Sequence, residues 1–245
     1  MTADANHHIT SAFQAKKLLT KSELLHWLEG VYPGVSEDTL SWRIYELKAK
    51  GVLESPGRGL YSLCRRKDFK PVFSNLSKRI ATLLAKELPL VNSCIWETHW
   101  LNAWMELQPA YNWTLVEAER DALDAIFNHL TGLSKKVFLQ PDRTVMELYV
   151  LSLNEAVIVK PLVSEAPLMQ EGKIATASPE KMLVDIVAEP GIFVAQQGEL
   201  EQIFKNAFSQ VPIHQNRMLR YARRRKREEQ VLQLIPKNHS SHNQI

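Results

Sequence analysis

Apolar positions near the start of the chain recur at helical spacing and later give way to short strand-like runs. Ile9 and Phe13 belong to a first helical stretch that reaches Leu19, with Lys16 and Lys17 beside it. Thr20-Lys21-Ser22-Glu23 then has the spacing of a capping box, in which a hydroxyl and a carboxylate each satisfy a free backbone N–H at a helix start. A helix is predicted over residues 21–29, with Leu24, Leu25, Trp27 and Leu28 on and beside one face, and Gly30 to Gly34 break it. Ser36 is placed to cap the next helix, and Glu37 and Asp38 suit the positive end of its dipole. Leu40, Ile44 and Leu47 share one face there, while Thr39, Trp42, Arg43 and Lys50 point elsewhere.

The pattern changes at Gly51. Gly51 to Ser55 and Leu60 to Leu63 read as two short strands joined by the turn Pro56-Gly57-Arg58-Gly59. Two helices at helix-turn-helix spacing followed by a hairpin predict a winged helix-turn-helix over residues 1–70. In such a domain the second helix enters the major groove with its early residues near base edges. The candidate DNA-facing set is therefore Ser36, Thr39, Ser41, Trp42 and Arg43, with Lys48 and Arg58 on backbone phosphates. Arg43 suits this role because arginine bonds guanine bidentately or pairs with phosphate. Trp42 is equally readable as an aromatic buried between helices, and Glu37 and Asp38 would oppose phosphate approach. Winged helices also serve as protein-interaction modules, which keeps a scaffold role open.

Beyond a basic connector over residues 65–70, a helix with Ile80, Leu83 and Leu84 on one side is expected over residues 71–88. Short apolar runs then alternate with amphipathic stretches. Strands are expected at 94–96, 113–117, 137–139, 156–159 and 173–176, and helices at 99–107, 119–130 and 144–151. Ser178-Pro179-Glu180-Lys181 opens a further helix, with Ser as N-cap and Pro at the first helical position. Helices over 199–208 and 216–234 close the chain before a polar tail, 236–245, expected to be disordered. The fold class expected is α+β: the winged helix-turn-helix, then a mixed α/β domain over residues 71–235 with a C-terminal helical part. Trp96, Trp100 and Trp104 have a spacing that would suit base stacking, but Trp96 belongs to a strand and packing is favoured.

Charge divides the chain. Residues 1–70 carry 11 Lys/Arg against 8 Asp/Glu, residues 71–216 carry 11 against 17, and residues 217–245 carry 8 against 2. Basic ends on an acidic middle suit polyanion binding at the ends. In the last helix Arg217, Arg220, Arg224 and Arg227 form a stripe, which would meet nucleic acid, another acidic partner, or the acidic middle of the same chain. No apolar run has the ~20 residues that a spanning helix needs. The first eight residues carry neither a basic n-region nor an apolar h-region, so a cytoplasmic location with no membrane partner is expected.

Specific catalytic motifs are missing. There is no Gly-rich phosphate loop, GxSxG or HExxH. Cys64 and Cys94 have no metal-binding spacing and read as buried or inert thiols. Asp142, Glu155 and Lys160 loosely suggest the carboxylate, carboxylate and lysine of metal-dependent nucleases, although the usual acidic-x-Lys pair is lacking. No metal, cofactor or enzymatic activity is expected, and a nuclease carried to DNA by the winged helix is the alternative.

Ser178-Pro179-Glu180-Lys181-Met182-Leu183-Val184-Asp185 and Arg220-Tyr221-Ala222-Arg223-Arg224-Arg225, behind an N-terminal winged helix, resemble segments of the AbiEi-like antitoxins. Ile95 to Asn102 and Val137 to Pro141 are similar to an uncharacterised branch of that group. The resemblance implies a transcriptional regulator of a phage-defence (abortive-infection, type IV toxin–antitoxin) system. The winged helix would bind operator DNA, as inverted repeats in its own promoter, and repress the operon. The remainder would counteract a nucleotidyltransferase-type toxin, for which the resemblance does not require a stable complex. It marks Glu180, Lys181 and Asp185 as family positions, which join the arginine stripe as an antitoxin or anionic-partner surface. The single Arg58 makes this wing less basic than those of many members.

Overall fold

The computed structural model describes residues 9–14, 16–49, 52–63 and 66–236. Lys50, Cys64 and residues 237–245 of the tail lie outside the described residues. The chain forms two units, Met1–Asp68 and Phe69–Ile245, and each has its own hydrophobic core.

In the first unit the predicted capping box forms. The Glu23 backbone N–H donates to Thr20 Oγ1 at 3.2 Å, and the Thr20 N–H donates to Glu23 Oε2 at 2.8 Å. Lys16 donates to the same carboxylate at 2.7 Å, and these bonds hold the Glu23 carboxyl at about 2. The helix so started, α1 (Lys21–Val31), is followed by α2 (Glu37–Ala49). Leu24, Leu25 and Leu28 of α1 meet Leu40, Ile44 and Leu47 of α2 in one core that also takes Ile9 and Phe13. Strands β1 (Leu19–Thr20), β2 (Leu53–Gly57) and β3 (Leu60–Leu63) form an antiparallel sheet in the order β1-β3-β2. β1 is shorter than propensity alone would register: it reads as a helix end, and only its pairing of Leu19 with Tyr61 makes it a strand.

The second unit opens with α3 (Asn75–Glu87), capped by Ser74, whose Oγ accepts the Ser77 N–H at 3.2 Å. Its sheet contains β4 (Ser93–Glu97), β5 (Asn112–Ala118), β6 (Val137–Leu139) and β7 (Glu155–Pro161) in the order β4-β5-β7-β6. β4 runs antiparallel to β5, and β5, β7 and β6 are mutually parallel. The helix expected after β4 is a 3-10 helix, Thr98–Trp104, and that expected at 144–151 is a short turn ending in a π-helix, Met146–Val150. α4 (Leu123–Thr131) carries Leu123, Ile126 and Leu130 into the core. A hairpin of β8 (Leu168–Glu171) and β9 (Ile174–Ala177) precedes α5 (Pro179–Ala188). Then come α6 (Leu200–Gln210), α7 (Gln215–Arg224) and α8 (Glu228–Leu234).

Strand register assigns the faces of this sheet, since paired residues share a side and neighbours alternate. Cys94, Trp96, Leu115, Glu117, Ile158 and Lys160 lie on one side, toward α5. Glu97, Thr114 and Val116 lie on the other, toward α3, where Ser77 Oγ and Thr114 Oγ1 are 3.4 Å apart. A sheet covered by helices on both sides explains its continuous apolar strands. Together the elements make a mixed α+β protein. Trp96, Trp100 and Trp104 are all buried, so their spacing serves packing.

Sequence periodicity suggests one helix over 216–234, but the backbone breaks it. Lys226 adopts φ 56°. Its N–H donates to Arg223 O at 3.0 Å and the Arg227 N–H donates to Ala222 O at 2.9 Å. These two bonds are a Schellman motif with lysine in the left-handed position that glycine usually takes.

Candidate functional site

On α2, 100° per residue places Trp42 and Tyr45 opposite the Leu40, Ile44 and Leu47 stripe. Both aromatics are exposed, Trp42 at 59% and Tyr45 at 60%. Trp42 is therefore not a core aromatic. Asp38 lies on the same outward side and is also exposed. Tyr45 did not stand out in the sequence, although its i, i+3 relation to Trp42 outside the apolar stripe would have singled it out.

Of the rest of the predicted DNA-facing set, Ser36, Thr39 and Arg58 are exposed, and Ser41, Arg43 and Lys48 are half-buried. Ser36 Oγ accepts the Thr39 N–H at 3.4 Å and lies 2.9 Å from Thr39 Oγ1, so these hydroxyls bond each other at the helix start. Arg43 flanks the core stripe, and its guanidinium lies 4.0 Å over the Tyr32 ring. Lys48 is half-buried with Nζ 5.9 Å from the Tyr61 ring centroid, and burial lowers its pKa. Ser41 is half-buried. Arg58 is exposed in the two-residue turn between β2 and β3, where Gly59 takes φ 71°. That left-handed conformation favours glycine, and it lets the hairpin reverse with Arg58 at its tip.

The second unit buries its most concentrated charge. Lys181 Nζ of α5 donates to Glu117 Oε1 of β5 at 2.7 Å and to Asp185 Oδ2. Asp185 Oδ1 accepts the Tyr221 hydroxyl at 2.8 Å and Arg225 Nη1 at 3.1 Å. Glu189, just past α5, accepts Lys160 Nζ at 2.7 and 2.6 Å and also Arg225 Nη2. Trp96 Nε1 donates to Glu117 Oε1 at 2.7 Å, and the Lys181 ammonium lies 5.4 Å over the same indole. Glu117, Asp185 and Glu189 thus face Lys160, Lys181 and Arg225, and their formal charges cancel.

Burial alone would discharge Lys181, but Asp185 and Glu117 hold its ammonium well above the ordinary lysine range. Burial likewise opposes ionisation of Asp185, and Lys181, Lys160 and Arg225 outweigh it and keep the carboxyl low. The Tyr221 phenol is pushed up, first by burial and then by the Asp185 charge. Burial also raises the Cys94 thiol, so this free cysteine is a poor nucleophile.

These contacts correct one expectation. Glu180, Lys181 and Asp185 are not on a surface, because all three are at most 3% exposed. Glu180 accepts the Ser178 hydroxyl and the His214 N–H, which ties the start of α5 to the start of α7. The arginine stripe makes contacts within its own unit, while Arg220 and Arg224 remain exposed. Arg217 donates to Leu168 O at 2.7 Å, Arg224 donates to Ser164 Oγ at 2.8 Å, and Arg220 lies 3.7 Å from Glu165. Arg227, half-buried, donates to Lys226 O, and Arg225, outside the expected stripe, is the one that enters the core.

Asp142, Glu155 and Lys160 do not converge. Asp142 Oδ1 accepts the Val145 N–H at 2.8 Å as a helix cap. Glu155 is exposed at the start of β7, whereas Lys160 is buried near its end on the opposite side of the sheet. Among the described residues no group of His, Cys, Asp and Glu is arranged to hold a metal ion. No helix among them is long and apolar enough to cross a membrane.

These features define a mixed α+β protein of two units, one presenting an aromatic helix face and the other holding a buried, charge-balanced ion network. The chain belongs to a family of unknown function, DUF6577, which matches residues 39–241. No curated protein matches it. Among solved structures it is similar to the RV2827C protein from Mycobacterium tuberculosis, at 14% identity and a TM-score of 0.29, over 100% of this chain and 83% of that one.

Proposed function

We propose that Met1–Asp68 is a winged helix-turn-helix that binds operator DNA as inverted repeats in the protein's own promoter. The chain acts as an autorepressor and as an antitoxin against a nucleotidyltransferase-type toxin. The observation that carries the DNA-binding part is the outward side of α2, where Trp42 and Tyr45 stand free, in a helix pair followed by a hairpin with exposed Arg58. An aromatic side chain in the major groove makes apolar contact with thymine methyls, and a hairpin arginine suits phosphate or the minor groove. The antitoxin part rests on the resemblance to AbiEi-like proteins. Its two segments, 178–185 and 220–225, meet through Asp185 with Tyr221 and Arg225, so they form one structural unit.

A gel-shift titration of the full chain against its upstream DNA, at two salt concentrations with random competitor, tests the reading. Specific retention should fall with salt as phosphates are neutralised. Arg58→Ala should lower the salt slope by about one phosphate. Trp42→Ala should cost ~1–3 kcal/mol of specific binding, in the range for losing the match at one base pair. Asp38 beside Trp42 and Tyr45 favours a second reading, a protein-docking face, since aromatic residues are enriched in interface cores. Absence of specific retention would select that reading and remove the autorepressor.

A further inference from the structure

The parallel strands β5, β7 and β6 end together, and a cavity of about 790 Å3 opens beyond their carboxyl ends. Open α/β sheets bind ligands in this place, and the volume lies within the ~300–1,000 Å3 typical of small-molecule sites. Residues following each strand line it: Arg120 after β5, Gln140 after β6 and Pro161 closing β7. Its walls are apolar, from Met146, Leu151, Val163, Ile192 and Val194. Lys160, Glu189 and Arg225 reach it from the ion network.

Lining charges comprise four cations, Arg120, Arg143, Lys160 and Arg225, against the carboxylates of Glu147 and Glu189. Residues 69–245, to which all six belong, carry 20 Lys/Arg against 19 Asp/Glu, so the lining is more basic than the unit that holds it. Lys160 and Arg225 are already engaged by Glu189, and Arg143 by Glu147 at 2.7 Å. Arg120 is exposed and has no ion pair among the described residues. Gln140, in the lining, holds φ 43°, a left-handed conformation that glutamine rarely adopts. Strained backbone of this kind gathers at ligand sites. Val194 is 47% exposed, an apolar wall left open to solvent.

We infer that this cavity binds a small organic anion with an apolar body, its body against Met146, Leu151 and Ile192 and its anionic group served by Arg120. The inference concerns Phe69–Ile245 and does not depend on DNA binding by the other unit.

The test is a fluorescence titration of the full chain with 1-anilinonaphthalene-8-sulfonate, an apolar ring system carrying one sulfonate. Saturable enhancement is expected, and Val163→Trp and Val194→Trp, which fill the cavity from half-open positions, should each abolish it. If one of these variants fails a thermal-melt check of folding, the other decides. Arg120→Glu should weaken the dye by about fivefold, the upper end for one exposed charge. Octanoate should displace the dye at lower concentration than 1-octanol, which has the same body without the charge. An unchanged titration in a folded tryptophan variant overturns the site, and equal displacement by octanoate and octanol overturns the anion.

Discussion

Glu97 joins α3 to the sheet through a single carboxylate. Its Oε1 accepts the Ser74 N–H at 2.7 Å, its Oε2 accepts Asn112 Nδ2 at 2.7 Å, and His99 Nδ1 lies 3.4 Å from Oε2. Burial would raise this carboxyl, but His99, Asn112 and the Ser74 N–H outweigh it and hold it at about 2, against an ordinary 4.5. The unfolded chain therefore takes up this proton first. The stabilisation is present above pH 4.5 and is lost as pH falls toward 2. His99 is raised, chiefly by Glu97, so its contribution is full below 6.5 and is lost as pH rises through the folded value. Glu97→Gln should flatten the acid limb of unfolding free energy measured by urea melts across pH; a curve parallel to wild type would contradict this account. Lys181→Met leaves Glu117 and Asp185 buried without the cation between them. A loss of ~3–5 kcal/mol is expected, read from the denaturation midpoint, because removing one partner strands the other charge in a low-dielectric interior.

Among the elements, the capping box at α1 and the Leu40, Ile44 and Leu47 stripe of α2 are readable from local spacing, because each depends on groups three or four residues apart. The same is true of Pro179 at the start of α5, though the Ser178 hydroxyl turns to Glu180 rather than to a helix N–H. The break between α7 and α8 is different. Its residues have no helix breaker, and the turn accompanies Arg225 in its bonds to Asp185 and Glu189, about 40 residues away in the chain. Lys226 pays the left-handed penalty that results. Lys226→Gly should therefore stabilise the protein by ~1 kcal/mol and raise its melting temperature, since glycine adopts this φ freely. A lower melting temperature would show that the lysine side chain has a role that outweighs the backbone.

For the whole molecule, two separate cores predict two unfolding events. Differential scanning calorimetry of the full chain should resolve them, and Ile44→Ala should lower only one. Ile44 is 2% exposed, and such a truncation costs ~2–5 kcal/mol. A single transition shifted as a whole would show that the units melt together. Sequence alone determined the α+β class, the helix-helix-hairpin order of the first unit and most strand positions, because these follow from periodicity and capping over a few residues. Tertiary structure decided which charges are surface and which are core. Lys181, Asp185 and Arg225 look like solvated helix residues one by one, and only the approach of α5, β5, β7 and the end of α7 makes them one network. The cavity at the strand ends was equally hidden, since Arg120, Gln140, Lys160 and Ile192 come from four separate segments. Local spacing encodes neighbours within a turn or a strand, whereas burial and charge pairing are set by contacts distant in the chain.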